Sequence, residues 1–258
     1  MVRRRESGWS LHDIRQMNRA RLVEFVEENA ATIGETEALA VLENRFCSAE
    51  VCVTIAQASR LTSHYAVRAA LVANRHTPQG YSMRLVANLY WRDLAVLSTD
   101  VKILPPVRRA IDTQLRTILK RLTLGERKTL ARLCSREMIP EFLDDPEPMV
   151  FESLLVNPRL SEETVIRFIE HGDPASAQIR VLSDHARWNG RYAVRLAIVL
   201  SDATPKAVAA SMLRHLNRVD VERIFASRKT SQYIRQCIER LGLLERSPNR
   251  GSSKRQSR

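Results

Sequence analysis

The side chains of this sequence best suited to grip or react with a partner are arginines, tryptophans and aspartates, and several of them occur twice. Arg60, Arg68 and Arg108 have counterparts in Arg187, Arg195 and Arg235, all three pairs at one and the same offset. A guanidinium offers a planar fork of donors that matches a carboxylate or a phosphate. A ladder of such groups along one face would therefore grip an anionic partner. Asp93 and Asp220 repeat at that offset too, however, and would equally serve as internal acids for these arginines. Repetition of both partners favours the internal role. Trp91 beside Asp93, and Trp188 near Asp184, each combine a stacking surface with a carboxylate. Arg60, Arg68, Arg187, Arg195, Trp91 and Trp188 are thus the candidate binding residues.

Other catalytic patterns are missing. The six histidines (12, 64, 76, 171, 185 and 215) form no HExxH or i, i+4 pair. No serine occupies a GxSxG elbow, and eight scattered glycines build no phosphate-cradling loop. Cys47 and Cys52 stand five apart with no histidine nearby, and Cys134 and Cys237 lie far from both. Reduced, buried thiols are the expectation, with no metal and no cofactor.

Charge is distributed unevenly. The net charge is +12, of which residues 1–21 carry +4 and residues 246–258 carry +5, leaving +3 for the long middle. The body is close to balanced and the ends are basic. Nucleic-acid binding, if present, would work through those ends by counterion release and without sequence preference. Arg3-Arg4-Arg5 is followed by Glu6, Ser7 and Gly8 rather than an apolar core, and no run approaches the ~18 apolar residues of a membrane span. A cytoplasmic protein is expected.

The elements that must position these residues follow from the duplication. Tyr65-Ala66-Val67-Arg68 leads to Thr77-Pro78, and Tyr192-Ala193-Val194-Arg195 leads to Thr204-Pro205, in the same register and without a gap. Helical periodicity runs through both copies. Ser10 is expected to cap a first helix reaching Val26, Thr77 and Thr204 to cap helices with proline at their first position, and Thr123 and Ser161 to cap two more. One third of the offset from Tyr65 to Tyr192, about 42 residues, is the length of an armadillo/HEAT unit of three helices. The expectation is an all-α chain: a basic extension over 1–9, one α-solenoid over 10–245 with halves of about 10–145 and 146–245, and a disordered basic tail over 246–258.

The segments LLVNPRLSEETVIRFI (154–169), RWNGRYAVRLAIVLSDATP (187–205) and YAVRAALVANRHTP (65–78) resemble units of a family of bacterial HEAT-like (armadillo/leucine-rich-repeat-variant-like) helical-repeat proteins. The family carries LxxNPxLxxExV and RYxVRxALVxNPxTP. This chain departs from it at Asn74-Arg75 and Ser201-Asp202, and matches poorly before Ser59. The resemblance implies the fold and assigns no catalytic residue. HEAT-like DNA glycosylases for alkylated bases are similar in architecture, and in that comparison Trp91 or Trp188 would stack a damaged nucleotide while an Asp stabilises the sugar cation. Against it, Asp93 repeats as Asp220 without a tryptophan. The expected function is a non-enzymatic scaffold or adaptor for a protein partner, with a nucleic-acid-binding solenoid as the alternative.

Overall fold

The computed structural model describes residues 9–228 and 230–244. The expected basic extension, save its last residue, and the expected disordered tail lie outside them. Among the described residues there are nineteen α-helices, one 3₁₀ turn and no strand. The chain divides into two compact units, with the division between Glu141 and Phe142.

The first unit contains α1 (Leu11–Gln16), α2 (Arg19–Asn29), α3 (Glu35–Glu43), α4 (Ala49–Gln57), α5 (Ser59–Thr62), α6 (Tyr65–Ala73), α7 (Gln79–Val86), α8 (Trp91–Leu97), α9 (Pro105–Leu119) and α10 (Leu124–Leu133). A 3₁₀ turn (Arg136–Met138) leads into α11 (Ile139–Leu143), within which the division falls. The second unit continues with α12 (Pro148–Leu155), α13 (Glu162–His171), α14 (Ser176–Asp184), α15 (Ala186–Asn189), α16 (Tyr192–Leu200), α17 (Lys206–Leu213), α18 (Arg218–Ala226) and α19 (Gln232–Arg240).

The duplication governs the helix boundaries. When Tyr65 is laid over Tyr192, α4, α5, α6 and α7 begin and end where α14, α15, α16 and α17 do. The correspondence also reaches back before Ser59, where the sequence match is poor: α3 lies over α13 and α2 over α12. Packing repeats as well. The contacts of α2 with α4, α3 with α6, α6 with α7, α7 with α9 and α8 with α9 recur as α12 with α14, α13 with α16, α16 with α17, α17 with α19 and α18 with α19. Equivalent apolar residues form the two cores: Val67 and Val194, Leu71 and Ile198, Leu94 and Val221, Ile111 and Ile238 are all buried. Burial of each such side chain contributes roughly 1.5–3 kcal/mol before chain entropy is subtracted. Neither copy needs the other's sequence, only its pattern of buried positions.

Most expected caps are present. Ser10 accepts from the Asp13 N–H, Thr123 from the Glu126 N–H and Ser161 from the Thr164 N–H. Two expectations are corrected. The first helix breaks at Met17, because Asn18 caps a new helix through the Arg21 N–H, and Asn44 donates to the freed Ile14 and Met17 carbonyls at 2.8 and 3.1 Å. Thr77 and Thr204 do not cap the helices after them; Pro78 and Pro205 hold the N-cap position. The Thr204 hydroxyl turns back to the Ile198 carbonyl at 2.6 Å, closing the preceding helix rather than opening the next.

Candidate functional site

The repeated arginines meet carbonyl groups. Arg60 on α5 donates to Ala30 O at 3.3 Å and to Ile33 O, in the turn after α2. Arg187 on α15 donates to the equivalent carbonyls, Asn157 O at 3.2 Å and Leu160 O at 3.3 Å, and also to Leu155 O at 3.5 Å. The last carbonyls of a helix have no partner within it. One guanidinium with five donors satisfies several at once. Each of these arginines therefore ties a helix end to the element that packs on it.

Arg68 and Arg195 sit one turn after the tyrosine of their motif. Arg68 donates to Thr62 O and Ser63 O, both at 2.8 Å, and so closes α5. Its guanidinium carbon lies 5.7 Å from the Tyr65 ring centre, and that of Arg195 lies 5.8 Å from Tyr192. The Nε atoms of Arg68, Arg195, Arg108 and Arg235 are buried without a hydrogen-bond partner. For Arg68 and Arg195 the tyrosine face supplies cation–π attraction in place of one.

The aspartates take tyrosine rather than the repeated arginines, which corrects the expected ion pairs, although Asp220 also lies 3.5 Å from Arg223 on its own helix. The Tyr65 hydroxyl donates to Asp93 and accepts from the Tyr90 N–H at 3.1 Å. The Tyr192 hydroxyl donates to Asp220 and accepts from the Asn217 N–H at 3.2 Å. Burial, then the bond to the aspartate, raises the pKa of each phenol above its ordinary value. The tyrosine is conspicuous in both sequence motifs, but its aspartate lies on a later helix of the unit and no local spacing points to it.

Trp188, a candidate for a binding surface, is 0% exposed. Its indole N–H donates to Leu155 O at 2.9 Å, and Arg187 and Arg191 lie over its ring at 4.5 and 5.4 Å. Trp91 is half-buried and donates to Glu126 Oε1 at 3.0 Å. Glu126 also closes the capping box of α10, and these bonds, the Thr123 N–H first, lower its pKa. The structure thus brings Arg187 and Trp188 together in the second unit, with Leu155 as a shared acceptor, while Trp91 is engaged with Glu126 and Arg92. Among the described residues no cluster of three or more potential metal ligands occurs. No helix among them is long and apolar enough to cross a membrane.

Comparison with protein-family models, with curated proteins and with solved structures finds no match to this chain. What stands is an all-helical protein whose packing runs mostly between helices near in sequence, in a pattern that recurs from the first tyrosine motif to the second.

Proposed function

We propose that this chain is a non-enzymatic helical-repeat scaffold, a HEAT/armadillo-like solenoid, that presents a surface to a protein partner. The observation carrying this reading is a difference between the two copies at positions their shared fold leaves in water. Around α8 the first copy exposes Tyr90 (67%), Val96 (63%) and Val101 (84%). The second copy has Asn217, Arg223 and Arg228 there. A fold that needed apolar residues at these places would need them twice. Exposed apolar groups gathered in one short stretch mark an interaction site. Arg60, Arg187, Trp188 and the aspartates Asp93 and Asp220 are meanwhile engaged within the fold.

The test is affinity capture from a cell extract with the parent chain and with a Val96→Asp/Val101→Asp double variant, circular dichroism confirming equal helix content. A protein recovered by the parent, resistant to nuclease treatment and lost with the variant, is expected. Recovery that survives the substitutions, or that nuclease abolishes, overturns the reading.

Binding of nucleic acid is the second reading, and the location of charge favours it. Nine of the twelve net positive charges lie in residues 1–21 and 246–258. Such binding would be weak and sequence-independent. The glycosylase variant loses its Trp188 candidate, which has no free face on which a base could stack, and keeps only the half-buried Trp91, bonded to Glu126.

A further inference from the structure

The two copies also differ inside the core, beside the start of α4. Cys47 precedes the N-cap Ser48, and Cys52 is the fourth residue of the helix. They are 3% and 0% exposed, and their sulfurs lie 3.5 Å apart. The second copy has Pro174 and Ile179 in these places, so the fold itself does not ask for thiols.

The surroundings of the pair have changed with it. Asn74, the C-cap of α6, donates to Cys47 Sγ at 3.7 Å and to Leu42 O at 3.1 Å. Thr77 is 2% exposed, and its hydroxyl has no partner at hydrogen-bond distance. Its equivalent Thr204 donates to the carbonyl six residues back, and Thr230 does the same at 2.6 Å. Thr77 forgoes that bond and stands close enough to Cys52 to favour its thiolate.

We propose that Cys47 and Cys52 are a redox pair that closes reversibly to an intrachain disulfide when a hydroperoxide is the oxidant. The sulfurs need to approach by about 1.5 Å to reach the ~2.05 Å of a disulfide. The two thiols share one hydrogen bond, in which either can donate. Cys52 lies in the first turn of α4, whose positive end favours a thiolate, and acts as the nucleophile. Its thiolate attacks a peroxide oxygen, the O–O bond breaks, and the departing hydroxide takes a proton to become water. Cys47 then attacks the sulfenic sulfur, the S–O bond breaks, and the thiol proton leaves with the hydroxyl as a second water. Two thiols are oxidised by two electrons and one hydrogen peroxide is reduced to two waters. Both sulfurs are buried, so the reaction requires the short turn before α4, where Arg45 and Phe46 are exposed, to open locally. Closure takes the Cys47 thiol from Asn74 and so reaches the α6–α7 turn.

Trypsin supplies the test, because the fragment Phe46–Arg60 holds both cysteines and no other. The reduced full-length chain is treated with hydrogen peroxide, alkylated and digested. The expected result is a fragment two hydrogens lighter, restored by dithiothreitol, with Cys134 and Cys237 still alkylated. Cys47→Ser should leave a Cys52 sulfenic acid that dimedone traps, and Thr77→Val should slow closure several-fold without changing the helix content. A fragment that remains a dithiol in the folded chain and closes only in urea overturns the proposal. So does over-oxidation of either sulfur without pairing.

Discussion

Arg187→Ala should destabilise the second unit by about 1–3 kcal/mol, since the truncation removes the donor of Leu160 O and the guanidinium that links it to Asn157 O and Leu155 O. Arg187→Lys should recover only part of this, because an ammonium cannot fan out over separate acceptors as a guanidinium does. Thermal unfolding of both variants decides it. The tyrosines give a pH prediction. Each folded phenol holds its proton more tightly than an unfolded one, whose pKa is about 10. The associated stability is fully present below about pH 10 and is lost as pH rises through the folded value. Denaturant melts at rising alkaline pH should show this loss, and a Tyr65→Phe/Tyr192→Phe variant should show less of it. Asp93→Ala and Asp220→Ala should each destabilise by about 1–3 kcal/mol, because each leaves a phenol without its acceptor. If both melt like the parent, the aspartates do not hold the fold. The recurrence of Arg60 and Arg187 is legible in the sequence, but their partners are not. Main-chain carbonyls have no letter of their own, so an Asp repeated at the same offset is the natural but mistaken choice of acceptor.

Local signals at helix starts read correctly at Ser10, Thr123 and Ser161, where the side chain reaches the N–H three residues on. Ser161 is the clearest: its hydroxyl lies 3.2 Å from the Thr164 N–H, and Ser161→Ala should cost about 1 kcal/mol in an equilibrium melt. Thr204 fails the same reading because a carbonyl of the preceding helix competes for its hydroxyl and wins at 2.6 Å. The break after α1 is illegible for a related reason. It depends on Asn44, far downstream in α3's C-cap, which satisfies the carbonyls that the break exposes. Repetition is the stronger guide. It fixes α6 and α7 from α16 and α17, and would have fixed α3 from α13 had the match not faded before Ser59. There only the pattern survives, with Ile33 opposite Leu160 and Glu35 opposite Glu162. Those two acids even keep equivalent partners, His64 at 3.3 Å for Glu35 and Arg191 for Glu162.

At the scale of the molecule, charge and repetition lead to separate expectations. Any duplex binding should reside in residues 1–21 and 246–258, and its affinity should fall by a log–log slope of about −0.9 per phosphate neutralised. Fluorescence anisotropy at several salt concentrations, for the parent and for a chain lacking 247–258 with Arg3, Arg4 and Arg5 neutralised, reads this directly. Undiminished binding by the trimmed chain would move the site into the helical body.

Two copies that share the lengths of four successive helices and the same neighbour relations also create a hazard during folding, since a segment of one copy can dock among the wrong neighbours. The cores discriminate through volume. Leu61 and Trp188 occupy equivalent buried places, as do Val41 and Phe168. A strayed segment therefore either overfills its host or leaves a void, and both are costly. Trp188→Leu makes the two sites more alike and should lower the yield of correctly refolded monomer by more than its effect on equilibrium stability accounts for. Refolding yield measured by size exclusion, beside a denaturant melt, separates the two effects. The divergence between the copies would then be what keeps each stretch of the chain in its own place.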